Sequence, residues 1–257
     1  MNIFDGYARY YDLLYQDKNY ATEAKYISEL LQNHASGTRT VLELGCGTGI
    51  HAEHLTSEGY DVHGVDLSSK MIEQAEARRL KIPKEKAAML SFSQGDIRYL
   101  NLDKKFDAVV AFFHVISYQT SNEDLKATFA TARRHVTHAG IFIFDCWYGP
   151  AVLTERPAVR VKRLENKVIS VVRLAEPIMH LNENTVEVNY HVFIRDKTNG
   201  YVEEVKETHR MRYLFMPEIK DLFSENGMEM VLSYGWLTYN RPGLDTWGVC
   251  FGGKVQN

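Results

Sequence analysis

Val41-Leu42-Glu43-Leu44-Gly45-Cys46-Gly47-Thr48-Gly49 reads as a short apolar strand running into a glycine turn, with helix-compatible sequence after it. Glycines at alternate positions let a backbone pass close to a ligand, because no Cβ stands in the way. The next apolar strand, Tyr60 to Val65, ends on an acid, Asp66. That carboxylate is placed to accept hydrogen bonds from both ribose hydroxyls of a nucleoside. A glycine loop with an acid about 20 residues on, at the tip of the following strand, is a nucleotide signal. A dinucleotide fold wants a further glycine where this chain has Ile50, and it seats a pyrophosphate on the helix N-terminus. Here Glu43 stands beside Gly45, Gly47 and Gly49. A carboxylate there repels a pyrophosphate and suits a ligand with a cationic group. An NAD site and a loop that binds nothing are the alternatives.

The rest of the first half alternates strand and helix. Strands are expected near 40–44, 61–66, 88–93, 106–113 and 141–146, and helices near 49–59, 69–81 and 122–136. Ser68 caps the second of these helices, and Ser121 or Asn122 the third. Phe106 to Phe113 is nearly all apolar, as a central parallel strand buried on both faces must be. This order implies a parallel sheet with right-handed crossovers. Before it, residues 1–34 form a helical lead, with Ala24, Ile27, Leu30 and Leu31 at helical spacing.

From about 150 the pattern changes to amphipathic strands, near 159–164, 168–174, 185–194 and 201–213, with a hairpin turn at Asp196-Lys197-Thr198-Asn199-Gly200. A helix, 217–226, and strands at 228–236 and 246–255 then return to the first style. The expected fold is a Rossmann-like α/β domain spanning 1–257. Its sheet is mostly parallel with an antiparallel last strand. The parts are a helical lid (1–34), a nucleotide-binding core (35–150), an inserted antiparallel sheet (151–213) and a closing helix and strands (214–257). The insertion is expected either to roof an acceptor pocket or to pair with a second copy as a homodimer.

The chain has 257 residues, 45% of them hydrophobic, enough to bury a full core. A formal net charge of −3 argues against nucleic acid as the main partner. Cys46, Cys146 and Cys250 are odd in number and far apart, which reads as reduced thiols in a cytoplasmic protein. No signal peptide and no apolar run of bilayer length is evident, so no membrane association is expected.

The glycine motif looks like motif I of the class I S-adenosylmethionine-dependent methyltransferases. Ser93-Gln94-Gly95-Asp96-Ile97 resembles that family's third-strand motif, and His138-Ala139-Gly140 before Ile141 its turn into strand five. The match sharpens toward the TDP-amino-sugar N,N-dimethyltransferases at Tyr7-Ala8-Arg9-Tyr10-Tyr11-Asp12-Leu13-Leu14-Tyr15, Lys18-Asn19-Tyr20 and Glu23-Ala24. It continues at Gly49-Ile50-His51-Ala52-Glu53-His54-Leu55, Phe112-Phe113-His114-Val115-Ile116-Ser117-Tyr118 and Cys146-Trp147-Tyr148. It is looser in the inserted sheet. The resemblance implies S-adenosylmethionine as cofactor. Its binding set is Tyr7, Tyr15, Glu43, Gly45, Cys46, Gly47, Gly49, Asp66, Leu67, Met71, Asp96, Ile97 and Phe112. Asp96 takes the adenine amino group, and the Ile97 backbone N–H reaches the ring.

It also implies methyl transfer to an amino or hydroxyl group of a small polar acceptor, a nucleotide-linked sugar foremost. Other natural products, RNA or protein, and a non-catalytic role are the alternatives. His114, just past strand four at the sheet edge where ligands bind, is the candidate base. Packing or cofactor contact is the other reading of it. Trp147 and Tyr148 are expected at the acceptor. Arg241 is expected to meet its phosphates, ahead of Arg156, Arg160, Lys162 and Arg163. His51 and His54, and His135 and His138, are read as capping or surface residues, with no metal expected.

Overall fold

The structure, a computed structural model, describes residues 13–14 and 18–256. The expected lid tyrosines Tyr7 and Tyr15 lie outside the described residues. Helix α1 is Tyr20–His34, followed by β1 (Thr40–Leu44), α2 (Ile50–Ser57), β2 (Asp61–Asp66), α3 (Ser69–Arg79), a short α4 (Lys84–Ala87) and β3 (Leu90–Gln94). Then come β4 (Phe106–Ala111), α5 (Asn122–His135), β5 (Val136–Tyr148), a short α6 (Gly149–Thr154) and the strands β6 (Arg160–Glu165), β7 (Ile169–His180), β8 (Thr185–Asp196) and β9 (Val202–Leu214). The chain closes with α7 (Met216–Glu225), β10 (Met228–Gly235) and β11 (Gly248–Val255). Ser68 and Ser121 cap α3 and α5, accepting from Met71 N at 3.3 Å and Asp124 N at 3.0 Å.

The core sheet runs β3-β2-β1-β4-β5-β11-β10. Its first five strands are parallel, and β11 lies antiparallel to both neighbours. Alternation along β5 explains the layers, because successive side chains point to opposite faces. Phe142 and Phe144 meet Phe129, Phe223 and Phe251 on the α5/α7 side, while Ile141 and Ile143 meet Ile27, Leu30 and Leu55 on the α1/α2 side. The inserted strands form an antiparallel meander, β6-β7-β8-β9, joined to the core where Trp147 and Tyr148 of β5 pair with Tyr213 and Leu214 of β9.

Strand four stops earlier than its apolar run suggests. After Ala111 the backbone leaves the strand, and Phe113 and His114 take left-handed φ values of 64° and 63°. A short 3₁₀ turn, Val115–Tyr118, follows. Among the described residues no helix is long and apolar enough to cross a membrane.

The start of β1 is locked to β4 by Asp107. Its Oδ2 accepts from Arg39 N and Thr40 N, both at 2.9 Å, and from Thr40 Oγ1 at 3.0 Å. Against the penalty of burial, these bonds hold the carboxyl below its usual range. Asp107→Ala should destabilise the fold by roughly 1–3 kcal/mol. A depressed native pKa contributes stability above the unfolded pKa and loses it as pH falls through the native one. The gap between wild type and variant in thermal unfolding should therefore be full at neutral pH and shrink below about pH 4. A gap that widens in acid would contradict this role.

Candidate functional site

A cavity of about 880 Å³ opens at the C-terminal edge of the core sheet and runs beneath the inserted sheet. At one end lies the glycine loop, with Gly45, Gly47 and Gly49 at φ 72°, 54° and 76°. Gly45 N and Cys46 N donate to Val65 O at 2.7 and 3.0 Å, which turns the chain over the tip of β2. A Cβ on Gly45 would meet Val115 at 2.6 Å, so the loop packs directly on the 3₁₀ turn. A Cβ on Gly47 would meet nothing within 4 Å. Gly47 lines the cavity, so this is backbone laid open to a ligand.

Asp66 lines the same end, and it also builds the loop. Its Oδ2 accepts from Gly47 N and its Oδ1 from Ser68 N, each at 2.9 Å. Burial raises its pKa against the pull of these amides. Each carboxylate oxygen has two lone pairs, so the bonds leave capacity for ribose hydroxyls. Cys46, Leu67, Met71, Ile97 and Phe112 line the cavity too. Cys46 is buried and its thiol is pushed up by that burial.

Asp96 is placed in the cavity wall with partners that the sequence did not suggest. Arg98 grips it with Nε to Oδ1 at 3.0 Å and Nη2 to Oδ2 at 2.6 Å, and reaches Asp124 through Nη1 at 2.8 Å. The Arg98 hydrogen bonds hold the Asp96 carboxyl below its usual range. Arg98 and Asp124 line the cavity as well.

Behind the loop, Glu43 is fully buried, and its Oε2 has no hydrogen-bond partner among the described residues. Burial, with Asp66 nearby, pushes its pKa up to about 8. His51 of α2 lies 3.9 Å from Glu43 and 2.6 Å from Glu23, and Glu23 also meets Lys18 at 3.0 Å. Burial lowers the pKa of both His51 and Lys18. Lys18 lies 3.5 Å above the Phe113 ring. Glu23 and Lys18 stand in the N-terminal signature, yet spacing gives no hint that they reach His51. His54 is not among the cavity residues, and His135 is buried with Thr131 O at 2.8 Å and Leu102 N at 2.9 Å.

His114 lines the middle of the cavity. Its backbone N donates to Asp145 Oδ1 at 3.0 Å, and its Nδ1 lies 2.6 Å from Asp145 Oδ2. Asp145 is wholly buried. Burial alone would raise its pKa, but His114 holds it down. The sequence marked the end of strand five without marking this acid.

Trp147 lines the cavity, edge-on to His114 and to Trp247 at 6.3 and 5.6 Å. Tyr148 does not line it. As the next residue on β5 it faces the other way, into the core beside Phe251. Arg241 lies in a second cavity of about 430 Å³, which shares Trp247 with the first. Of the basic cluster, Arg160 lines the main cavity, as does Arg173 from β7. His209 from β9 joins them, and neither it nor Arg173 was singled out by the sequence.

The residues fit S-adenosylmethionine. An open glycine backbone, a strand-tip acid and a buried carboxylate oxygen with no hydrogen-bond partner among the described residues suit a nucleoside that carries an ammonium group. Residues 41–140 match the family model described as a methyltransferase domain. The chain is 29% identical to the dTDP-3-amino-3,4,6-trideoxy-alpha-D-glucopyranose N,N-dimethyltransferase of Streptomyces venezuelae, over 87% of this chain and 90% of that one. It is 28% identical to the dTDP-3-amino-3,6-dideoxy-alpha-D-glucopyranose N,N-dimethyltransferase of Streptomyces fradiae, over 87% and 84%. The crystal structure of Streptomyces venezuelae DesVI superimposes with a TM-score of 0.80 at 27% identity, covering 97% of this chain and 98% of that one. Residues 41–140 thus carry a methyltransferase domain, and the chain is similar over most of its length to the dTDP-amino-sugar N,N-dimethyltransferases.

Proposed function

We propose that the enzyme methylates the amino group of a nucleotide-linked amino sugar. The observation that carries this is the single continuous cavity. It is lined by the glycine loop, by His114, and by Arg160 and Arg173 beneath the inserted sheet. The cofactor's place is the loop end, with Asp66 and Asp96 in its wall and Glu43 buried behind the loop. When bound it supplies an electrophilic methyl on a sulfonium, and S-adenosylhomocysteine leaves. The acceptor's place is the far end, where guanidinium forks suit a diphosphate. The two relatives named above act on such acceptors by their names.

The protein's part is positioning and proton handling. Holding the two partners about 3–3.5 Å apart and aligned accounts for roughly 7–11 kcal/mol of the barrier. The Asp145 carboxylate accepts, so His114 carries its hydrogen on Nδ1 and presents Nε2 as a proton acceptor. The amine would present its lone pair to that methyl. The N–H proton that the methylated amine must shed would go to His114 Nε2.

The direct test is methyl transfer to thymidine-diphosphate amino sugars, read by mass. Product gaining one or two methyl groups supports the reading, and cofactor binding without transfer to any amino sugar overturns it. His114→Asn separates amine from hydroxyl. An amine can deprotonate before attack, so the variant should lose less than about tenfold in turnover and recover at higher pH. A hydroxyl needs the base, and a loss of about 10²–10⁴ that pH does not restore would make this an O-methyltransferase.

Glu43 should make cofactor affinity pH-dependent. With a native pKa of about 8, Glu43 is mostly protonated at pH 6. An incoming ammonium favours the ionised form, so binding releases that proton. Affinity should rise with pH from 6 to about 7.5, by up to tenfold per unit. Calorimetry of Glu43→Gln should give weaker and nearly pH-independent binding. A flat wild-type profile would remove Glu43 from the ammonium site.

A further inference from the structure

The acid just past the tip of β3 is held by one residue. Asp96 Oδ1 accepts from Arg98 N and Arg98 Nε, both at 3.0 Å, and Oδ2 accepts from Arg98 Nη2 at 2.6 Å. The backbone bond closes an Asx turn, and the guanidinium lies along the carboxylate as a fork. Arg98 is itself fixed to α5. Its carbonyl accepts from Thr131 Oγ1 at 3.1 Å, and its Nη1 donates to Asp124 Oδ1 at 2.8 Å. Asp124 stands in the first turn of α5, where its N–H meets the Ser121 cap and the helix end favours its charge. Asp96, Ile97, Arg98 and Asp124 all line the cavity. A carboxylate offers about four lone-pair sites, and the three Arg98 hydrogens take all but one of them. The grip also holds the carboxyl below its usual range, so Asp96 accepts a hydrogen bond and cannot donate one.

We propose that Arg98 is a positioning residue that sets the base specificity of the cofactor site. It holds Asp96 as a fixed, acceptor-only partner for the exocyclic amino group of adenine, and Asp124 holds Arg98. The proposal rests on the cofactor placement given above and deepens it. Asp66 ends β2 and Asp96 follows β3, the next strand along the sheet, so a nucleoside with its ribose at Asp66 extends its base toward Asp96. An amino group brings a hydrogen to the open lone pair. An oxo group at the same ring carbon brings lone pairs of its own against a carboxylate. An aspartic acid without Arg98 could take up a proton and donate to that oxygen. The fork closes this route. A fixed acceptor that meets no donor is left desolvated, so the site rejects the analogue lacking the amino group.

The test is calorimetry with S-adenosylhomocysteine and S-inosylhomocysteine, in which an oxo group replaces the amino group. Wild type should bind the adenosyl ligand tighter by roughly 10²-fold or more. Arg98→Gln should lower that ratio about tenfold, by weakening the adenosyl ligand while the inosyl one holds its affinity or gains. Arg98→Lys keeps the charge without the fork, and should recover part of the ratio that Arg98→Gln loses. Asp124→Asn acts through Arg98 and should lower the ratio about threefold. It carries the test should Arg98→Gln fail to fold. A wild type that binds both ligands alike overturns the proposal. So does an Arg98→Gln or Asp124→Asn variant that weakens both in proportion, the mark of a merely structural role. Neither ligand involves the acceptor, so these results leave the methylation of an amino sugar standing. A wild type that binds neither ligand overturns the proposal and the cofactor placement together.

Discussion

Asp145 holds the acceptor half of this cavity in shape. It sits at the end of β5, wholly buried, and takes the backbone N–H of His114 on one oxygen and its ring on the other. Phe113 and His114 both adopt left-handed backbone, which costs roughly 1–3 kcal/mol for each non-glycine residue. A hydrogen bond to a charged group contributes roughly 1.5–3 kcal/mol, so the bonds to Asp145 offset strain of that size. The consequence is geometric. The chain turns sharply off β4, the His114 ring comes over the cavity, and Val115 is pressed against the glycine loop where a Cβ on Gly45 would clash. Glycine loop, His114 ring and 3₁₀ turn are thus set by one carboxylate on a neighbouring strand.

The cofactor end is crowded with acids. Glu43 and Asp66 both lie at the loop, and burial raises the pKa of each. Nearby, Glu23 is held down by His51 and Lys18, despite its own burial. A permanent anion would be well served by none of this. A group that arrives with positive charge is, because it pairs with carboxylates whose charge burial disfavours or that the protein already shares. The same reasoning explains why the loop does not resemble a phosphate cradle despite its glycines.

What the sequence disclosed followed its periodicities. The β1 and β2 ends at Leu44 and Asp66, the Ser68 and Ser121 caps, and the alternating strands of the insertion are local patterns, and they reappear in the structure at or near the expected residues. The turn at Phe113–His114 was hidden because an apolar run gives no sign of where a strand must stop when a distant acid pulls it aside. Arg98 at Asp96, Glu23 at His51, and Tyr118 at His209 were hidden for a related reason. The last pair lies 91 positions apart and meets only through the packing of β9 on the 3₁₀ turn. Tyr148 was misjudged by one step of the pleat: it follows Trp147 in an aromatic pair, and adjacent strand residues face opposite sides.

That pleat also separates the two halves of the enzyme. The cofactor end is built largely from backbone, where substitution meets closed space or a needed amide. The acceptor end is built from side chains at alternate positions of paired strands: Arg173 and Ala175 on β7, Val188 and Tyr190 on β8, His209 and Met211 on β9. Ala175 stands opposite Tyr190, and Val188 opposite His209, so these residues share one face of the meander. Their neighbours point away and carry the sheet's other surface. A change at one cavity-facing position therefore alters the acceptor wall without shifting strand register or touching the glycine loop. On the function proposed above, the core carries the chemistry and the inserted sheet is where the choice of acceptor is free to vary.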